Sequence, residues 1–232
     1  MEHKRLTLFA GHYGSGKTNI AVNYAKALAG EGKPVCIADL DIVNPYFRTA
    51  DSAKDLAEAG VTLISPQFAN SNVDLPALPA EAYRLVEDKS IYGVMDIGGD
   101  DRGAYALGRY VPFMKEENNY RMAFVANCYR PLTRTPEEAL EVMREIEAAC
   151  KLNFTCIVNN SNLGTETTPQ TIEDSLEFIE KLSQLSGLPV WLHTARADVA
   201  QKLTVPNVLP LLLQERYFDL PSQKPQNRPL WG

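Results

Sequence analysis

Apolar residues in this chain fall into short continuous runs, separated by stretches in which they recur every three or four positions. The runs are RLTLFA (5–10), PVCIAD (34–39), VTLIS (61–65), IYGVMD (91–96), RMAFVAN (121–127), FTCIVN (154–159) and LPVWLHT (188–194). Most are unbroken and rich in β-branched residues rather than alternating, the pattern of strands covered by helices on both faces.

The intervening stretches read as helices. GKTNIAVNYAKALAGEG sets Ile20, Ala21, Tyr24, Ala27 and Leu28 on one face and stops at Gly30 and Gly32. In TPEEALEVMREIEAAC, Thr135 can cap, Pro136 suits the first helical position and Glu138 completes a capping box. TPQTIEDSLEFIEKLSQLSG predicts one helix with Ile172, Leu176, Ile179, Leu182 and Leu185 in a stripe and Gly187 as its stop. Alternating strands and helices predict an α/β fold, a doubly wound, mainly parallel sheet with helices on both faces. A single domain is expected over 1–220, followed by an extended, proline-rich tail over 221–232.

Composition narrows this further. The 232 residues are 45% hydrophobic, enough for a sizeable core, and a formal net charge of -6 disfavours a general nucleic-acid or anionic-membrane binder. Cys36, Cys128, Cys150 and Cys156 form no CxxC pair, so reduced, mostly buried thiols are expected rather than disulfides or a metal site. No signal peptide or membrane span is visible, and a cytoplasmic location is expected. VLPLLLQERYFDLP is short, contains prolines and carries little positive charge, so it reads as core or edge packing rather than a membrane helix.

The chemistry concentrates after the first run. Gly11–Thr18, GHYGSGKT, matches GxxxxGK[ST] between a strand and a helix. In this pattern the backbone N–H groups of Gly11, His12, Tyr13, Gly14, Ser15 and Gly16 curl around phosphate oxygens. Lys17 reaches the β- and γ-phosphates, Thr18 offers its hydroxyl to Mg²⁺, and the helix start adds its positive dipole end. Ligands of a parallel sheet bind beyond the carboxyl ends of its strands. Asp39 and Asp41 end the second run and Asp96 the fourth, where carboxylates can hold magnesium water or orient an attacking water; capping and turn formation are the plainer roles for Asp. For Asp100 and Asp101 the plainer role leads. After the sixth run, IVNNSNLG lacks the guanine-reading N-K-x-D.

The set GHYGSGKT…IADLDIVNP…VMDIGGD resembles the ParA/MinD-type ATPases, the CobQ/CobB/MinD/ParA nucleotide-binding class, from the N-terminus to about residue 195. The resemblance implies bound ATP and Mg²⁺. It also implies that Asp41 is the switch I aspartate positioning the hydrolytic water and that Asp96 contacts magnesium through water. Gly99 would sense the γ-phosphate, and Asn159 and Asn160 would read adenine's edge. That class commonly carries a lysine at the position of His12, reaching across a dimer interface to the partner's phosphates. A mostly neutral imidazole cannot reproduce that charge, so an ATP-sandwich homodimer is not expected.

The resulting expectation is a slow Mg·ATP hydrolase acting as a nucleotide-dependent switch toward an unidentified protein partner or small-molecule substrate. A carboxylate-activating enzyme resembling dethiobiotin synthetase or the cobyrinate amidation enzymes, and a non-hydrolysing nucleotide-binding module, are the alternatives. Arg130 and Arg134, in NCYRPLTRT, can supply charge to the phosphates, bind an anionic substrate or be solvated. Tyr46, Phe47, Tyr105, Tyr110 and Phe113 can pack in the core or form a partner surface.

Overall fold

The computed structural model describes residues 3–40, 49–64, 80–98 and 107–212. Its strands are β1 (Leu6–Ala10), β2 (Val35–Leu40), β3 (Thr62–Ile64), β4 (Tyr92–Ile97), β5 (Tyr120–Ala126), β6 (Cys156–Asn159), β7 (Val190–Arg196) and β8 (Val208–Leu211). They form one sheet in the order β3-β2-β4-β1-β5-β6-β7-β8, and every pairing is parallel. The chain therefore winds to one side of β1 as far as β4 and to the other side from β5 onward. This leaves the loop after β1 at the point where the winding reverses, the ordinary ligand position of such sheets.

The described helices are α1 (Lys17–Gly30), α2 (Ala53–Glu58), α3 (Arg84–Glu87), α4 (Val111–Glu117), α5 (Pro136–Cys150), α6 (Pro169–Glu173), α7 (Leu176–Ser186) and α8 (Ala197–Ala200). Strand residues alternate between two apolar layers. Leu6, Leu8, Met95, Ile97, Met122 and Phe124 face a layer that includes Met143 and Ile146 of α5 and Ile179 and Leu182 of α7. Phe9, Ile37, Val94, Val125 and Val158 face the other layer, filled by Ile20, Ala21, Tyr24, Ala25 and Leu28 of α1. Fully burying one such Leu or Phe side chain stabilises by about 1.5–3 kcal/mol. Within the second layer Trp191 stacks on Phe9 at 6.1 Å and meets Tyr24 edge-on at 5.3 Å.

The capping box before α5 is present: Glu138 N donates to Thr135 Oγ1 at 3.2 Å, and Thr135 N donates to Glu138 Oε2 at 3.1 Å. Three expectations differ from what forms. Ala27 is exposed and Ala25 takes its place against the sheet. The long helix expected over 168–187 is two helices, because the chain turns at Asp174 and Ser175, where Ser175 Oγ donates to the Ile172 carbonyl at 2.6 Å. Ile172 consequently packs with Ala195 and Val199, and Leu185 is exposed. The start of VLPLLLQERYFDLP, expected as core or edge packing, forms a strand of its own, β8, at the edge of the sheet. Leu212 beyond it is held through both backbone groups by the Asn23 amide, at 2.9 and 3.2 Å.

All four cysteines are free; Cys36, Cys150 and Cys156 are buried, and desolvation pushes the Cys156 thiol up to about 12. Tyr110 is buried against Tyr83, whereas Phe113 is partly exposed. Among the described residues no helix is long and apolar enough to cross a membrane. Tyr46, Phe47, Tyr105 and the 221–232 tail lie outside the described residues.

Candidate functional site

Gly11–Gly16 links the end of β1 to the first turn of α1. Two glycines are required by what surrounds them. A Cβ on Gly11 would lie 2.6 Å from the Val125 carbonyl oxygen of β5. Gly16 has φ +90°, which disfavours any side chain, and its Cβ would lie 2.3 Å from Asn160 Nδ2. The loop closes on itself, with Ser15 N donating to the His12 carbonyl at 3.1 Å, and Lys17 Nζ donates to that same carbonyl at 3.3 Å. Lys17 and Thr18 are buried where α1 begins. Ser15 Oγ is buried and meets no hydrogen-bond partner among the described residues. His12 points Nδ1 at the Tyr13 carbonyl at 2.9 Å, which places a hydrogen on that nitrogen, and the Tyr13 ring is 58% exposed.

Strand alternation decides where the carboxylates go. Asp39 on β2 lies two residues beyond Ile37, and Asp96 on β4 two beyond Val94. Both therefore fall on the α1 face of the sheet. They are register partners, and Asp96 is also paired with Phe9 of β1, just ahead of the loop. Both are buried. Thr49, which sequence reading did not single out, is fully buried and donates from Oγ1 to Asp96 Oδ2 at 3.2 Å. No motif marks it; it opens the short 3-10 turn Thr49–Ser52 ahead of α2. Asp41, Gly99, Asp100, Asp101 and Arg102 lie outside the described residues.

Lys17, Thr18, Asp39, Asp96 and Thr49 present only oxygen donors and one ammonium, which suits a hard cation shared with phosphate oxygens. No cluster of three or more His, Cys, Asp or Glu side chains occurs among the described residues.

Asn159 and Asn160, expected to read the base, both make hydrogen bonds within the protein. Asn160 Nδ2 donates to the Ser15 carbonyl at 2.6 Å, and its Oδ1 accepts from Thr194 Oγ1 at 2.6 Å. Asn159 is fully buried; Nδ2 donates to Ser175 Oγ at 2.9 Å and to His193 Nδ1 at 3.3 Å, and Oδ1 accepts from Ser161 N. An amide end followed by a turn signals a strand terminus, but nothing in the sequence says which partner the amide will find. Beside Gly14 and Gly16 opens a cavity lined also by Asn19, Arg130, Asn160, Asn162, Thr167 and Arg196. Arg196 is fixed there by Asp198 and by the Thr165 carbonyl, at 3.0 Å from Nη1.

No protein-family profile matches the chain, and no curated protein matches it. Solved structures do. The cell division protein FtsY of Thermotoga maritima superposes with a TM-score of 0.54 at 19% identity, over 82% of this chain and 61% of that one. The signal recognition particle receptor FtsY of Elizabethkingia anophelis, in complex with GDP, gives 0.53 at 15%, over 84% and 58%. The signal recognition particle 54 kDa protein of Aeropyrum pernix K1, also with GDP, gives 0.53 at 16%, over 83% and 41%. This chain thus spans less than two thirds of those proteins. At these identities the likeness shows the fold alone, a doubly wound parallel α/β sheet, with the glycine-rich loop following its first strand.

Proposed function

We propose that the chain binds Mg·ATP and hydrolyses it slowly, as a nucleotide-dependent switch of the ParA/MinD type. The observation that supports this best is the placement of buried Asp39 and Asp96 on the α1 face, near the carboxyl ends of β2 and β4, with Lys17 and Thr18 buried at the start of α1. In this reading the N–H groups of 11–16 and the dipole of α1 receive the phosphates, and Lys17 turns from the His12 carbonyl to the β/γ-phosphates. Thr18 and Asp96 would hold the magnesium. The ion would supply charge neutralisation of the triphosphate. Asp41, through the resemblance, orients water for in-line attack, and Gly99 with Asp96 passes the loss of the γ-phosphate to the loops beyond β2 and β4.

Adenine is favoured over guanine. The guanine-reading N-K-x-D is absent from IVNNSNLG at the end of β6, which supports adenine. The GDP in two structural neighbours belongs to those proteins.

Calorimetric titration of ATP, ADP and GTP, each with Mg²⁺, into wild type and Lys17→Ala tests the reading. ATP is expected to bind more tightly than GTP, and Lys17→Ala to lose about 2–5 kcal/mol of that affinity while remaining folded. Unchanged ATP binding by folded Lys17→Ala removes the phosphate-site assignment; preference for GTP removes the adenine assignment alone.

A further inference from the structure

Beyond the loop itself, one cation is held over it from another strand. β5 ends at Ala126, and the chain then makes a compact turn before α5. The Asn127 carbonyl accepts from Arg130 N at 3.2 Å and from Thr133 Oγ1 at 2.8 Å, while Asn127 Oδ1 accepts from Tyr129 N at 3.0 Å. Thr133 is buried, and the far side of the turn is fixed where Arg134 N and Thr135 N both donate to Glu138 Oε2. The backbone of Arg130 is thus set from both directions.

Its side chain reaches the phosphate loop: Nε lies 4.0 Å from the position a Cβ would take on Gly14. It lines the same cavity as Gly14, Gly16 and Asn19. Arg196 lines that cavity too, but its charge is matched by Asp198. Arg130 is exposed, and no acceptor or carboxylate meets its side chain among the described residues. A guanidinium carried on a fixed turn beside a loop of backbone N–H groups has left its charge uncompensated where a polyphosphate would lie.

We propose that Arg130 is a cation of the phosphate site, supplied in cis from the β5–α5 turn to neutralise the bound polyphosphate together with Lys17. The proposal rests on the nucleotide reading above. Because the charge comes from the same chain, one molecule holds it without a second copy. Being exposed, the contact depends strongly on ionic strength.

The test is ATP affinity for wild type, Arg130→Ala, Arg130→Lys and Arg134→Ala across a salt series, with thermal melts to confirm folding. Arg130→Ala is expected to bind ATP about tenfold more weakly at low salt, with the gap narrowing as salt rises. Arg130→Lys should recover much of the loss, and Arg134→Ala should match wild type. If Arg130→Ala fails to fold, Arg130→Gln carries the same expectation. ATP affinity of the neutral variant within about twofold of wild type at low salt, with the same salt slope, overturns the proposal. Wild type that binds no nucleotide overturns the functional reading beneath it, a different result.

Discussion

Asn160 and Gly16 are fitted to each other. The Asn160 amide nitrogen donates to the Ser15 carbonyl at 2.6 Å and occupies the space 2.3 Å from where a Gly16 Cβ would stand. Through Thr194 Oγ1, 2.6 Å from Asn160 Oδ1, the loop is tied across to β7. Asn160→Ala is expected to leave the Ser15 carbonyl without this donor in a buried place and Thr194 Oγ1 with only its 3.3 Å bond to the Asn159 carbonyl, costing about 1–3 kcal/mol in the absence of any ligand. It should weaken nucleotide binding through a looser loop. Chemical denaturation without nucleotide checks this. An asparagine that only read the base would leave the apo protein's stability unchanged and alter the preference for ATP over GTP instead.

How much of this was legible in the sequence depends on range. The strand–loop–helix frame of GHYGSGKT, the strand ends carrying Asp39 and Asp96 and the Thr135 cap are short-range patterns, and these elements lie where the pattern puts them. Asn160 shows the limit. A strand-terminal amide has donors and acceptors for several partners, and the choice of Ser15 is made by packing 145 positions away in the chain. Arg5 shows it again: it stands at the head of the run RLTLFA, yet it is buried, its guanidinium paired with Glu117 and its Nη1 donating to the Leu85 carbonyl at 2.8 Å. Periodicity likewise could not see the turn at Ser175, since a hydroxyl that bonds back to Ile172 leaves the apolar spacing of a helix intact.

Asp41 carries the proposed chemistry. Asp41→Asn keeps the shape of the side chain but removes the charge that would hold and deprotonate an attacking water. ATP affinity should stay near wild type while phosphate release falls by a hundredfold or more, roughly the scale of lost general-base assistance. Single-turnover phosphate release read beside calorimetry separates the two. Wild-type turnover in the variant would hand the positioning of water to another group.

His193 makes stability depend on pH. Burial lowers its pKa from the ordinary 6.5, and Nδ1 accepts from the Asn159 amide, a bond that protonation there removes. The unfolded chain therefore takes up this proton at higher pH than the folded one. The contribution is fully present above about pH 6.5 and is lost as pH falls through the lowered folded value, with a slope of at most about 1.4 kcal/mol per pH unit for one proton. Glu117, Glu31 and Asp198 have carboxyl pKa values pulled down by their cationic partners and titrate at lower pH. Urea unfolding between about pH 5 and pH 7 should show the slope in wild type and a flatter one in His193→Gln. Equal slopes would mean that the imidazole protonates in place at no cost.

His12 bears on whether two copies meet face to face over nucleotide. Its imidazole bonds to the Tyr13 carbonyl of its own loop, and the Tyr13 ring stands exposed beside it, so the position offers a partner no fixed cation. Bringing two triphosphates together without added positive charge is repulsive, the more so as water is excluded. ATP alone is therefore expected to leave the mass in solution unchanged relative to ADP. Light scattering with ADP and with a non-hydrolysable ATP analogue, on wild type, His12→Ala and His12→Lys, measures this directly. Wild type and His12→Ala should behave alike. An analogue-specific dimer of His12→Lys would show that charge at this position was the missing element, and its absence would assign the obstruction to the Tyr13 ring. An analogue-specific dimer in wild type that vanished in His12→Ala would reverse the reading, making the imidazole itself the group that crosses to the partner's phosphates.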